Sequence, residues 1–210
     1  MYFKNKGTAD TPILSSIQAL DTIFERGPQG EFVLHHHIGD KCTIDSFGPI
    51  QTTLSPNISK KFVPSGSCPT NGQWPYYNLE RPDEREGVII AIGWPGQWAS
   101  QFTRDSGVGL RVTGGQELTH FRLQPGEEIC TPLIVLQFYE GDWIRAQNIW
   151  RRWMFTHNFP KDHGNPLSSK LGAGSVQFYG FNSNQVGDIE FIDRFRKEGI
   201  QLSYWWMDAG

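Results

Sequence analysis

The residues best equipped for chemistry stand at the end of the sequence, where Tyr204-Trp205-Trp206-Met207-Asp208 closes an aromatic run on a carboxylate. In an extended strand Tyr204, Trp206 and Asp208 share one face, and Trp205 and Met207 take the other. A strand-end carboxylate accepts hydrogen bonds from hydroxyls, and an aromatic face beneath it stacks on the apolar side of a pyranose. The pattern therefore suits a sugar. It also suits a carboxylate that caps the strand end or pairs with a cation. His35-His36-His37 invites a metal, since His35 and His37 would share a strand face, but only Asp40 stands nearby as a further ligand. Packing of one imidazole, with another at the sandwich edge, is the simpler reading. Trp94 and Trp98, four apart around Pro95-Gly96, could stack on a sugar or fill a core or interdomain contact. Cys42, Cys68 and Cys130 form no CxxC pair and no ligand set, which predicts ordinary buried or half-buried thiols, with a Cys42–Cys68 disulfide as the alternative. No metal and no cofactor is expected.

Composition limits the rest. The chain has 210 residues, 38% hydrophobic and 13% aromatic, enough for a packed core. Its 23 glycines and 13 prolines are spread along the chain, which favours many turns and hence many strands. A formal net charge of -3, with acidic and basic residues well mixed, leaves no electrostatic footprint for nucleic acid or an anionic membrane. No apolar run approaches the ~20 residues that a membrane helix needs. Met1-Tyr2-Phe3-Lys4-Asn5 opens a strand-like stretch without the basic head and apolar middle of a signal peptide.

The elements that must position these residues fall into three parts. Over 1–141 the pattern is short alternating runs such as Glu31–His35 and Gly87–Ile92, read as an antiparallel β-sandwich. Val108–Thr113 and Leu118–Leu123 flank Gly114-Gly115, which predicts a tight hairpin. Ser46 to Arg85, rich in Pro, Asn, Gly and Ser, reads as a long excursion. At Asp142 the period changes: Asp142 can cap a helix whose Trp143, Ala146, Trp150, Trp153 and Met154 form one apolar stripe, best read as packing. Phe159-Pro160 ends it, and 142–173 is linker helix plus polar connector. In 174–210, Ser175–Tyr179 reads as a strand, Asp188 as the cap of a helix closed by Gly199, and the stretch from Ile200 as a second strand. That order makes a βαβ unit with parallel strands.

Four stretches then carry a resemblance. Gly93-Trp94-Pro95-Gly96-Gln97-Trp98, Leu123-Gln124-Pro125-Gly126-Glu127-Glu128 with Thr131-Pro132, the helix Ala146-Gln147-Asn148-Ile149-Trp150-Arg151-Arg152, and the closing Trp205-Trp206-Met207-Asp208-Ala209-Gly210 are similar, in order along nearly the whole chain, to the α-galactosidases (melibiases) of glycoside hydrolase family thirty-six. The resemblance implies an N-terminal β-supersandwich, a helical linker and the opening of a (β/α)8 barrel, with Gly174–Phe181 like barrel strand one and Leu202–Asp208 like strand two. Asp208 would then sit at the C-terminal end of a barrel strand, where barrel active sites are built. Relatives often carry two adjacent Asp residues there; here the second is Ala209. Relatives place a Trp where this chain has Phe181, which keeps an apolar platform and loses an indole donor. The resemblance thus implies a carbohydrate substrate with Asp208, Trp206 and Phe181 as binding residues, without carrying galactose itself over to this chain.

Retaining glycosidases use two carboxyl groups roughly 5 to 5.5 Å apart, and in this family both come from later barrel strands. No catalytic residue is therefore assigned here. Both ends of the chain read as cut, which predicts a fragment inactive by itself. The open parallel sheet predicts self-association into homo-oligomers. The alternative is a non-catalytic carbohydrate-binding or assembly module built on the sandwich.

Overall fold

The structure, a computed structural model, describes residues 1–66, 68–175 and 180–207, with Phe181 described by its backbone alone. The chain divides into two compact units, Met1–Phe155 and Thr156–Gly210.

In the first unit the strands are β1 (Tyr2–Lys4), β2 (Leu14–Ser15), β3 (Leu20–Glu25), β4 (Phe32–His37), β5 (Pro49–Leu54), β6 (Ser59–Phe62), β7 (Tyr76–Arg81), β8 (Glu86–Gly93), β9 (Trp98–Arg104), β10 (Gly109–Gln116), β11 (His120–Phe121), β12 (Glu128–Cys130) and β13 (Leu133–Glu140). They form a five-stranded sheet in the order β13-β8-β7-β4-β5 and a four-stranded sheet in the order β3-β10-β9-β6, with β1–β12 and β2–β11 as short pairs. All these pairings are antiparallel. The mainly β sandwich expected from the alternating runs is what forms.

Its core follows from the period of two. Phe32 and Leu34 of β4, Tyr77 and Leu79 of β7, and Val88 and Ile90 of β8 meet Trp98 and Phe102 of β9 and Leu110 and Val112 of β10 in one buried cluster. Each large side chain sealed from water there contributes about 1.5–3 kcal/mol. Arg104, at the end of β9, is buried as a charge with its partners supplied. It donates to Glu31, to Asp105 Oδ1 and to the carbonyls of Gly107 and Gly109, and it lies over the Phe32 ring. Those bonds close the β9–β10 hairpin, where Gly107 of the turn and Gly109, the first residue of β10, also donate their N–H groups to Asp105.

Two expectations are corrected here. Gly114-Gly115 is no turn: β10 runs straight through it, paired with β9 on one side, while Gly114 also pairs with Leu20 of β3. A side chain at Gly115 would press on the Ala19 backbone, so the glycines serve close packing within the sheet. The stretch Ser46 to Arg85 is no single excursion either, because it supplies β5, β6 and β7. Its irregular part is the segment between β6 and β7, tied down where Trp98 Nε1 donates to the Pro69 carbonyl at 2.6 Å.

The outer face of the five-stranded sheet is covered by α1 (Trp143–His157). Asp142 caps it, its Oδ1 accepting the Arg145 N–H at 2.8 Å. Ala146 is fully buried among Tyr76, Ile89 and Tyr139, with Ile149 and Trp150 packed beside it. The stripe is narrower than the sequence suggests: Trp153 stacks on Trp150, and Met154 is exposed. Glycine is required at Gly87, the cross-strand partner of Tyr139 on this face, because a Cβ there would overlap the Tyr139 ring.

The second unit contains a short hairpin, β14 (Lys161–Asp162) with β15 (Asn165–Pro166), turned by positive φ at His163 and Gly164. It then forms a parallel pair, β16 (Gly172–Gly174) with β17 (Tyr204–Trp206), joined through α2 (Gln185–Lys197). The βαβ order is as read, with shifted details. Asn184, not Asp188, caps α2, accepting the Gly187 N–H at 3.1 Å; Asp188 lies one turn in and is buried. Gly199, at φ +74°, ends the helix with its N–H on the Arg196 carbonyl, and Ile200 N–H reaches the Phe195 carbonyl. The described strand precedes the stretch read as a strand from sequence. Residues 176–179 lie outside the described residues, and Phe181 falls in a single 3-10 turn, Gly180–Asn182.

The three cysteines are free and exposed rather than buried. They sit in loops or on the short edge pair, which contribute little to the core.

Candidate functional site

Two places gather the residues that sequence singles out, one in each unit. In the second unit, β17 presents Tyr204 and Trp206 on one face, with Trp205 less exposed on the other. Tyr204 lies across Gly172 of the parallel partner, where any Cβ would run into its ring, so the glycine sets how closely the tyrosine can lie. Trp206 pairs with Gly174 in register and keeps 63% of its surface exposed, a large free indole at a strand end. The ladder continues one step further, Ser175 N–H donating to the Trp206 carbonyl at 3.0 Å. Trp206 is thus the one predicted site residue whose side chain is described. Asp208 lies outside the described residues, and of Phe181 only the backbone is described.

In the first unit the three histidines of β4 divide between two faces. His36 points into the sandwich, its ring 4.9 Å from Phe62 and its Nε2 3.1 Å from Thr52 Oγ1. Burial, aided by the like charges of His37, Lys60 and His35, pushes its pKa down to about 4. His35 and His37 face α1. His35 Nε2 donates to Glu80 Oε2 at 2.8 Å and its ring stacks on Trp143 at 5.0 Å. The other Glu80 oxygen accepts the Trp143 backbone N–H at 3.0 Å, so one carboxylate holds both the strand and the helix N-terminus. Burial, and His35 beside it, lower the His37 pKa. Among the described residues no group of three or more His, Cys, Asp or Glu could hold a metal ion.

Trp98 is fully buried in the core, which removes it as a sugar platform, and Trp94 is half-buried against the same cluster. Sequence reading passed over Glu80. Its signal lay in Tyr76-Tyr77-Asn78-Leu79-Glu80, where a period of two puts Tyr76, Asn78 and Glu80 on one face of a strand. That face is polar yet covered. Tyr139 donates to Asn78 Oδ1 at 2.7 Å and Tyr76 donates to Gln147 Oε1 at 2.9 Å.

Beside this face opens a cleft of about 380 Å³ lined by His37, Phe47, Trp74, Tyr76, Gln147 and Trp150. Among the described residues no helix is long and apolar enough to cross a membrane.

No family model matches the sequence, and no curated protein does. Solved structures do. The GH36 α-galactosidase AgaA of Geobacillus stearothermophilus matches 99% of this chain with a TM-score of 0.74 at 16% identity, over 29% of its own length. The galactosidase domain of the α-galactosidase–sucrose kinase AgaSK matches 95% with a TM-score of 0.76 at 15% identity, over 28% of its length. The α-galactosidase of Lactobacillus brevis matches 100% with a TM-score of 0.74 at 13% identity, again over 28%. This chain therefore has the fold of a part of the GH36 α-galactosidases, and it spans less than a third of the length of those chains.

Proposed function

We propose that these 210 residues are the sandwich, linker and first βα strands of a retaining glycoside hydrolase acting on terminal α-linked sugars, in the manner of the α-galactosidases. The observation that carries the reading is the order of parts. An antiparallel sandwich leads through one helix, α1, into a parallel βαβ unit whose second strand ends on an exposed Trp206. The fold shared with GH36 α-galactosidases over nearly all of the chain supports it.

In this reading 1–141 is the sandwich, 142–173 the linker and 174–210 the opening of a (β/α)8 barrel. Asp208 accepts hydrogen bonds from substrate hydroxyls, because it follows the strand whose C-terminal end faces a barrel active site. Trp206 and Phe181 supply apolar surface for a sugar ring. The nucleophile and the acid/base, two carboxyl groups roughly 5 to 5.5 Å apart, come from later strands of the complete barrel, so the 210 residues alone are inactive.

The test is hydrolysis of an aryl α-galactoside by the purified chain. No turnover is expected. Measurable turnover that disappears on replacing an Asp within the chain would overturn the reading.

A further inference from the structure

The cleft beside α1 has a construction that the proposed strand-end site does not explain. Its walls are aromatic: Phe47 meets Trp74 edge to face at 5.0 Å, and Tyr76 meets Trp150 at 5.4 Å. Phe47 is held there at some expense. Its φ is +63°, a left-handed conformation uncommon for a bulky residue, and its side chain is 47% exposed. The loop that imposes this is cross-tied by side-chain hydrogen bonds. Asp40 Oδ1 accepts the Cys42 N–H at 2.8 Å and the Ser46 hydroxyl at 2.9 Å, while Ser46 Oγ accepts the Lys41 and Thr43 N–H groups. Strained backbone that presents an aromatic ring to solvent, on a loop tied by its own hydrogen bonds, is a feature of ligand clamps.

The polar lining narrows the ligand. His37 Nδ1 is buried without a hydrogen-bond partner, which leaves Nε2 as the ring nitrogen that can meet a ligand, and burial favours the neutral ring, whose Nε2 donates or accepts according to its tautomer. Gln147 already accepts from Tyr76, which leaves its amide N–H groups to donate. Among the described residues no carboxylate lines the cleft, and His37 and Tyr76 are its ionisable groups, so a cation finds rings but no counter-charge. A purely apolar guest would bury the histidine and the amide unpaired. A ring with one apolar face and hydroxyls at its rim meets both requirements.

We propose that the cleft formed by Phe47, Trp74, Tyr76, Trp150, His37 and Gln147 is a surface binding site for a neutral pyranose of an oligosaccharide. The site belongs wholly to the sandwich unit, and it stands whether or not the strand-end reading holds.

The experiment is a titration of the 210-residue chain with raffinose, maltotriose and cellotriose, followed by intrinsic tryptophan fluorescence and saturation-transfer NMR, with choline chloride as the cationic probe. At least one trisaccharide is expected to bind saturably, and choline not to bind. Phe47→Ala and Trp74→Ala should each weaken that binding by about tenfold or more, and Leu118→Ala, at an exposed residue outside the cleft, should leave it unchanged. If Trp74→Ala fails to fold, Phe47→Ala decides, since its ring is exposed. Absence of saturation with all three sugars, tighter binding of choline than of any sugar, or saturable binding that survives Phe47→Ala and is lost in Trp206→Ala would each overturn the proposal. The last result would leave the strand-end site standing.

Discussion

The Glu80 carboxylate and the His35 imidazole lie 2.8 Å apart on neighbouring strands, both buried, with the second Glu80 oxygen capping Trp143. The linker helix is thereby fastened to the sheet at its first residue. Glu80→Ala should cost about 1–3 kcal/mol, the penalty of leaving buried donors unmet, and should loosen α1. Glu80→Gln, which keeps acceptor oxygen for one of the two donors, should cost less. Urea unfolding of the two variants checks the order.

His36 gives the sandwich a pH dependence of known sign. Its folded pKa of about 4 lies below the ordinary 6.5, because burial opposes the charged form. The unfolded chain therefore takes up the proton first, and stability is full above about pH 6.5 and lost as pH falls toward 4. On the order of 2 kcal/mol should disappear across that window. His36→Phe, which keeps a ring beside Phe62, should flatten the slope measured by denaturation at a series of pH values. A slope unchanged in that variant would assign it to other groups.

Strand β13 is an edge of the five-stranded sheet, eight residues long, with Leu133 and Phe138 largely exposed. An open apolar edge of that length pairs readily with another chain. The chain should therefore form homo-oligomers at high concentration, and Phe138→Lys should shift it toward monomer in light scattering. A chain that stays monomeric without the substitution contradicts this.

The sandwich and the βαβ unit were legible because their signals are local: period-two runs, a change of period at Asp142, and a glycine at 199. The pairing of strands was not. Gly114-Gly115 carries the chemistry of a turn, and only the close approach of Ala19 shows why glycine is needed in a straight strand. β5 and β6 are polar edge strands with few buried side chains, so Pro49–Leu54 and Ser59–Phe62 lacked an apolar alternation to read. Asp188 has the chemistry of a cap, but Asn184 reaches the free N–H groups first. The face that Trp206 shares with Tyr204 was legible from strand alternation. Glu80 and the Phe47–Trp74 cleft were not, because they join residues from separate strands and loops through packing that no local pattern encodes.

Under the proposed function, Asp208→Asn in the protein that the whole reading frame encodes keeps the size of the side chain and replaces a charged acceptor with a neutral one. A hydrogen bond to a charged group is worth roughly 1.5 to 3 kcal/mol, so kcat/KM should fall by about ten- to a hundredfold while thermal stability changes little. Unchanged kinetics with a large loss of stability would make Asp208 a structural residue.

The proposal that this chain is part of a retaining α-glycosidase is tested most directly by the anomer released first. NMR should follow hydrolysis of an aryl α-galactoside, and of other aryl α-glycosides, by the protein that the whole reading frame encodes. The account predicts the α-anomer of the sugar as first product, with mutarotation to β following, as a double displacement through a covalent intermediate requires. Release of the β-anomer first, or a complete protein that cleaves no α-glycoside, would contradict it.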